Sequence, residues 1–241
     1  MAWLFTDNEI TSDIFRVDDE NAKHLRVLRV RAGEAVTLVT PAGIQCDGEI
    51  AEITSSDIAV KILSKRPCEN EPDVFVTLYQ ALPKGDKMDY IVQKCVELGV
   101  SRIVPVLSAR CVSRPDQKSL KKKRERWQKI ALQAAMQSRR GIIPEVADCL
   151  SFPQAVALAE ENEKNVFFYE LGGGSVKAIL KEKPKTVGMF IGSEGGFEAE
   201  EASLALAHGA QAATLGKRIL RAETAPLAAL SVIMYQTDNF S

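Results

Sequence analysis

Two stretches of this chain carry residue types at spacings that could do chemistry. In the first, the apolar run Thr186-Val187-Gly188-Met189-Phe190-Ile191 ends in Gly192-Ser193-Glu194-Gly195-Gly196-Phe197. Glycine accepts backbone angles closed to other residues and lets a ligand approach the main chain. A strand, a Gly-x-x-Gly-Gly loop and a helix together therefore suggest a cradle whose amide groups bind a small molecule. In the second stretch, Leu215-Gly216-Lys217-Arg218-Ile219-Leu220-Arg221-Ala222-Glu223-Thr224-Ala225-Pro226 crowds charged groups beside apolar ones, just ahead of a helix whose first turn can hold Pro226. Arg221 could stabilise charge that develops during a reaction. Glu223 could accept a proton, or it could be a helix-start residue paired with Arg218 or Arg221. A lone glycine loop is just as well a tight turn with no ligand. This one is neither a P-loop, which needs Lys-Ser/Thr after the glycines, nor the G-x-G-x-x-G dinucleotide fingerprint.

The elements that must position these loops can be traced along the chain. A length of 241 residues, 46% apolar and 26% charged, supports a real core and suits two domains. Short alternating runs at Ala35–Val39, Gly48–Ile53 and Ile58–Leu63 suit a small β-barrel. The polar, proline-bearing stretch Ser64–Asp73 reads as the boundary that follows it, giving domains over 1–70 and 73–241. Beyond it the order changes to strand, helix, strand: Val74–Leu82, a helix opened by Asp86 with Met88, Ile91, Val92 and Cys95 on one face and Gly99 as its stop, then Arg102–Leu107. Strands this apolar argue for a parallel sheet covered on both faces, an α/β domain. A further strand, Asn165–Leu171, runs into Gly172-Gly173-Gly174, and ligands of parallel sheets bind at such strand ends.

Charge is informative only locally. The net charge is −1, yet residues 110–140 hold eleven Lys and Arg against Asp116 and Glu125. A helix expected over Ser119–Arg140 would bury Trp127, Ile130, Ala131, Ala134 and Ala135 and leave Lys121, Lys122, Arg124 and Lys129 on other faces. Such a face is either solvated or a phosphate contact for RNA. The same two readings hold for Arg26 and Arg29, which flank expected core positions Leu25, Val27 and Leu28. His24 and His208 stand apart, and Cys46, Cys68, Cys95, Cys111 and Cys149 lack C-x-x-C spacing, so neither a disulfide framework nor a metal site is expected. No run approaches membrane-spanning length and no leader is visible, so the expectation is a cytoplasmic protein without membrane contact.

The pair Ile191-Gly192-Ser193-Glu194-Gly195-Gly196-Phe197 and Leu215–Ala225 resembles the paired signature of the RsmE family of SPOUT-class RNA methyltransferases. The resemblance extends to Ala22-Lys23-His24-Leu25-Arg26-Val27-Leu28-Arg29, Gln80-Ala81-Leu82-Pro83-Lys84-Gly85-Asp86-Lys87 and Ala135–Arg140, so it covers nearly the whole chain. It implies a PUA-like β-barrel ahead of a SPOUT α/β domain with a C-terminal trefoil knot. It also implies S-adenosylmethionine as cofactor, methylation of uracil N3 in the 16S RNA of the small ribosomal subunit, and a homodimer. The implied cofactor contacts are Leu171 and Gly172, then Ile191 to Gly196 including Ser193, Glu194 and Gly195, then Leu215, Gly216, Leu220, Thr224 and Ala225. RNA would meet Arg26, Arg29, Lys84, Lys121, Lys122, Arg124, Lys129 and Arg140.

The chain departs from the family pattern at several places. Ser193 and Lys217 replace prolines, Glu198 a Ser/Thr helix cap, Met136 a glutamate, and Trp3 an arginine. Two other readings stay open: a SPOUT enzyme acting on another RNA or atom, and a non-catalytic RNA-binding protein, which the intact glycines argue against. The apolar helix expected over Thr224–Asp238, with Leu227, Leu230, Val232 and Ile233 on several faces, needs burial on more than one side.

Overall fold

The computed structural model describes residues 1–240; Ser241, the last residue of the expected second domain, lies outside them. The chain divides into two compact units, Met1–Glu71 with Ala135–Ile143, and Pro72–Ala134 with the chain from Pro144 onward. The chain passes from the first unit to the second between Glu71 and Pro72, and the first unit also takes in a distant segment.

In the first unit, strands β1 (Ala2–Phe5), β2 (Ile14–Arg16), β3 (Ala35–Val39), β4 (Ile44–Ile53) and β5 (Ile58–Pro67) form one sheet in the order β1-β3-β4-β5-β2, with β1 parallel to β3 and the other pairs antiparallel. Ser64–Pro67, expected as linker, continue β5 because they pair with Ile44–Asp47. The β4/β5 pairing shifts register between Asp47 and Gly48 and again between Ile50 and Glu52; such bulges bend a strand. A Cβ at Gly48 would lie 2.5 Å from the Lys61 carbonyl oxygen, so only glycine fits there.

Helix α1 (Asp19–Val27) starts where Asp18 accepts from the Asn21 amide at 2.8 Å, with Asp19 and Glu20 in its first turn. It buries Ala22 and Leu25 against Leu4, Leu38 and Ile50. Val27 and Leu28, expected in that core, are instead 78% and 51% exposed, because the helix ends there and Arg29 turns the chain at φ 57°. The distant segment explains two departures from the family pattern. Trp3 is buried and donates its indole N–H to the Arg140 carbonyl at 3.0 Å, and Met136 packs on this unit's apolar core.

The second unit is built on a parallel sheet. Its strands are β6 (Phe75–Ala81), β7 (Arg102–Leu107), β8 (Glu145–Val146), β9 (Leu150–Ser151), β10 (Lys164–Phe168), β11 (Thr186–Ile191) and β12 (Gln211–Ala213). They run in the order β12-β10-β11-β6-β7-β8, with β9 also on β7, and every pair is parallel. Helices α2 (Lys87–Glu97), α3 (Gln117–Gln137), α4 (Phe152–Ala159), α5 (Val176–Ile179), α6 (Ala199–Ala207) and α7 (Ala225–Gln236) connect and cover it.

Met88, Ile91, Val92 and Cys95 are buried as the helical spacing of α2 predicts. Gly99 stops that helix at φ 98°, where a Cβ would come within 2.9 Å of Pro72 and 3.2 Å of Met234 on α7. Beside the sheet Tyr79 stacks on Phe190 at 4.5 Å, while Phe152, Phe167 and Phe197 pack around them at tilted and edge-on angles. Phe197 thereby anchors the far end of the glycine loop.

Candidate active site

The loop after β11 is fixed by contacts within its own unit. The Gly196 amide donates to the Ser193 carbonyl at 3.0 Å, closing a tight turn. Gly192 is closely packed, since a Cβ would stand 3.0 Å from Gly196 Cα and the turn would have to give slightly to hold it. Gly196 itself sits at φ 67°, with the Glu170 carboxylate pressed against the place its Cβ would take. Ser193 is buried, and its hydroxyl donates to the Arg110 carbonyl at 3.4 Å, so the site where the family has proline is held by packing.

Arg110 spans the loop's outer side, donating to the Gly195 carbonyl and to Glu198, each at 3.0 Å. Glu198 serves as the α6 cap after all: its amide donates to Glu201 at 3.0 Å, and Glu201 accepts the Ala109 amide at 2.8 Å. From the sheet, the fully buried Gln80 donates to the Gly192 carbonyl at 3.3 Å.

The elbow after β12 is held differently. Thr214 and Gly216 exchange hydrogen bonds, and the Thr224 and Ala225 amides donate to the Arg221 carbonyl at 2.9 and 3.0 Å. Between those ties Lys217, Arg218 and Ile219 are exposed, Ile219 by 80%.

A cavity of about 650 Å³ opens between the two loops and the end of β10, a size typical of a small-molecule site. Its wall takes in Leu171 and Gly172; Ile191, Gly192, Ser193, Glu194, Gly195 and Gly196; and Leu215, Gly216, Leu220 and Ala225. Of the residues the sequence assigned to the cofactor, only Thr224 stands off the wall. Arg221 lines the cavity, and among the described residues its guanidinium has no hydrogen-bond or ion-pair partner. Tyr169, Glu170 and Arg218 also line it and were not assigned to it; the expected strand runs through Tyr169 and Glu170, whereas β10 stops at Phe168, and Arg218 enters the sequence reading only as a candidate partner of Glu223.

Lys87, in the first turn of α2, was missed as well. Its Nζ stands 2.8 Å from Glu194 Oε1 and 3.1 Å from Glu223 Oε2. The second contact is an ion pair rather than an aligned hydrogen bond, because Glu223 Oε2 is buried without a hydrogen-bond partner. The Lys84 amide donates to both Glu194 oxygens at 3.2 Å. Glu223 therefore pairs with neither Arg218 nor Arg221, and it is not on the cavity wall.

These contacts move the titrations. Burial raises the Glu194 carboxyl, but hydrogen bonds from Lys87, its own amide and the Lys84 amide together pull it below its ordinary value. Glu223 is lowered by its own amide, then by Lys87, with a smaller pull from Arg221. Lys87 is raised by Glu194 first and Glu223 second.

The expected RNA contacts fall on both units, Arg26 and Arg29 on the first and the others of the set except Arg140 on the second. Arg26 donates to the Thr54 carbonyl at 3.3 Å, and Arg29 is exposed. Lys84, Lys121, Lys122 and Lys129 lie at the surface, and among the described residues none of their ammonium groups has an ion-pair partner. Arg124 donates to the Val146 carbonyl at 2.9 Å and pairs with Asp148 at 3.4 Å. Arg140 corrects the expectation. It is 3% exposed and bonds Glu71 from Nε at 3.2 Å and Nη2 at 2.5 Å, so its charge is spent inside the first unit rather than offered to phosphate. Among the described residues no cluster of His, Cys, Asp and Glu could hold a metal, and no helix is long and apolar enough to cross a membrane.

A family model described as an RNA methyltransferase domain matches residues 70–234, and one described as an RNA methyltransferase PUA domain matches residues 17–63. Fold and site are thus those of an RNA methyltransferase carrying a PUA domain. The ribosomal RNA small subunit methyltransferase E of Bacillus subtilis is 35% identical over 93% of this chain and 91% of its own. That of Synechocystis is 36% identical over 86% and 68%. The Neisseria gonorrhoeae protein of the same name, solved bound to S-adenosyl methionine, is 32% identical and superimposes with a TM-score of 0.88 over 98% of this chain and 97% of that one. The chain belongs to the family of ribosomal RNA small subunit methyltransferase E.

Proposed function

We propose that the chain methylates a uracil N3 of 16S ribosomal RNA, as free RNA or in the assembled small subunit, with S-adenosylmethionine as methyl donor. The observation that carries the reading is the cavity at the carboxyl ends of parallel strands, walled by the glycine loop and the elbow, with Arg221 on its wall and, among the described residues, no ion-pair partner for it. The residues present fit this cofactor. The glycines let a bulky ligand approach backbone, and Glu170 puts a carboxylate on the wall that suits a sulfonium or an ammonium. When bound, the cofactor supplies an electrophilic methyl group.

The chain's own residues must then orient the base and favour its N3 anion, since the neutral N3 is a poor nucleophile. Arg221 is the group for this. It keeps its charge because Lys87, not Arg221, takes up the neighbouring carboxylates. Glu223 fits less well as the acceptor of the N3 proton: its lowered carboxyl is a weak base and its Oε2 is buried. Pairing with Lys87 is the role its geometry favours. Lys121, Lys122 and Lys129 on α3, and Arg26 and Arg29 on the first unit, serve as phosphate contacts.

The C-terminal trefoil knot belongs to the same proposal. It is supported by a chain that leaves edge strand β12, runs through the elbow and returns in α7 against α2 and β11. So does the homodimer, supported by α7, which buries Leu230, Ile233 and Met234 within its own unit and leaves Val232 and Tyr235 exposed. A cytoplasmic location follows from a ribosomal substrate. Mapping methylated nucleosides in ribosomal RNA with and without the protein tests the reading. A new N3-methyluridine is expected, and its absence together with no binding of S-adenosylmethionine would overturn it.

A further inference from the structure

Lys87 Nζ contacts two carboxylates that belong to different loops, Glu194 in the turn after β11 and Glu223 in the elbow after β12. Lys87 itself lines the cavity and sits in the first turn of α2, a helix whose apolar face is buried in the unit's core. The Lys84 amide, on the segment leading into the same helix, donates to both oxygens of Glu194. Glycine-rich turns lose much freedom on ordering, and the elbow between Gly216 and Leu220 is tied only at its ends. Three segments far apart in sequence therefore meet at one ammonium.

We infer that Lys87 is a positioning residue of the cofactor site: by binding Glu194 and Glu223 at once, its ammonium holds the two walls of the cavity at the spacing a ligand needs. The residue touches neither reacting atom. It acts by lowering the cost of ordering both loops when ligand binds, and by consuming two carboxylate charges that would otherwise fall to Arg221. The role rests on the cofactor reading given above, but the exchange of the two loops is measured independently of cofactor.

Hydrogen exchange on the full-length protein compares wild type with Lys87→Met and Lys87→Arg. In Lys87→Met, amides of residues 192–196 and of residues 214–224 exchange faster together. S-adenosylmethionine, titrated by calorimetry, binds about tenfold more weakly. Lys87→Arg, which keeps the charge and can reach two carboxylates, restores both. Unchanged exchange in either loop, or affinity within twofold of wild type for Lys87→Met, would overturn the inference, as would a failure of Lys87→Arg to restore wild-type exchange and affinity. If Lys87→Met proves too unstable to handle, the paired substitution E194Q with E223Q removes both ion pairs while keeping side-chain size, and the same coupled rise in exchange is required of it. A wild-type protein that does not bind S-adenosylmethionine would remove the functional reading, while the exchange data would still decide the clasp.

Discussion

The two walls of the cavity are built on opposite plans. After β11, the charges on the turn and on the start of α6 that have partners are tied down: Glu194 by Lys87, Glu198 by Arg110, Glu201 by backbone amides. After β12, the elbow carries Lys217, Arg218 and Arg221, and among the described residues none of the three has an ion-pair partner. A matched wall is already in the geometry that a ligand requires, which suits binding. An unmatched wall keeps its charge for something that arrives later, which suits a developing anion or a phosphate. Helix α3 repeats the contrast on a smaller scale, with Arg124 and Arg126 paired to Asp148 and Asp89 while, among the described residues, Lys121, Lys122 and Lys129 have no ion-pair partner.

The contrast is broken most sharply at Arg221. Arg221→Ala should lower single-turnover methylation by about 10²–10³-fold, the scale for losing one preorganised donor, while cofactor affinity changes by less than about threefold, because no carboxylate is left unpaired. Calorimetry and single-turnover kinetics on the same variant check this. Wild-type turnover with a lowered melting point would place Arg221 among the matched cations instead.

The matched wall is tested at Gly196. Its φ of 67° costs an alanine about 1–2 kcal/mol, and the added methyl must push the Glu170 carboxylate aside. That carboxylate ends a flexible, exposed side chain, so the protein should fold with a melting point lower by about 2–8 °C. Cofactor affinity should fall by about tenfold or more, since the turn and Glu170 both line the cavity. A variant with the lower melting point and unchanged affinity would show that the turn is structural and no cradle.

What was legible in the sequence follows from the range of the forces involved. Apolar periodicity and glycine punctuation are local, so β3, β6, β7, α2 with its Gly99 stop, and the loop after β11 could be read directly. The elbow residues were placed at the cofactor by the resemblance to the RsmE family and not by any local pattern. Partner choice is not local. Glu194 meets Lys87 across 107 positions and Arg140 meets Glu71 across 69, so the ion pair at the site and the burial of Arg140 could not be seen along the chain. Val27 and Leu28 failed for a nearer cause: Val27 lies two residues past Leu25, on the opposite face of α1, and Leu28 falls just beyond the helix end. Residues 135–143 fail differently again, because α3 is one continuous helix whose last turn serves the first unit.

On α3 the contrast is sharpened by neutralising only cations without partners. Replacing Lys121, Lys122 and Lys129 by Gln should reduce the salt dependence of RNA affinity by about one unit of slope for each phosphate no longer neutralised, with little difference left near 1 M salt. Replacing Arg126, already paired with Asp89, should change the slope less. Equal effects from both sets, read by fluorescence anisotropy across a salt series, would mean that pairing does not decide which cations meet RNA.

The smallest effect expected is the pH dependence of the clasp at Lys87. Glu194 and Glu223 both titrate below their ordinary value of 4.5, so their contribution to stability is fully present above that value and is lost as pH falls through the lowered ones. Lys87 titrates above its ordinary 10.5, so its contribution is present below that value and is lost as pH rises through the raised one. The three groups are partly exposed, and solvent screens such pairs heavily, so the shift in melting point should be no more than a few degrees. Other carboxylates titrate over the same range, which makes the informative quantity the difference in melting point between wild type and Lys87→Met at each pH. That difference should be level between about pH 5 and pH 10 and shrink toward zero at both ends. A difference that stays constant into the acid and alkaline limbs would mean that Lys87 acts through the packing of its methylene chain and not through its charge, and the matched wall would then owe its geometry to shape alone.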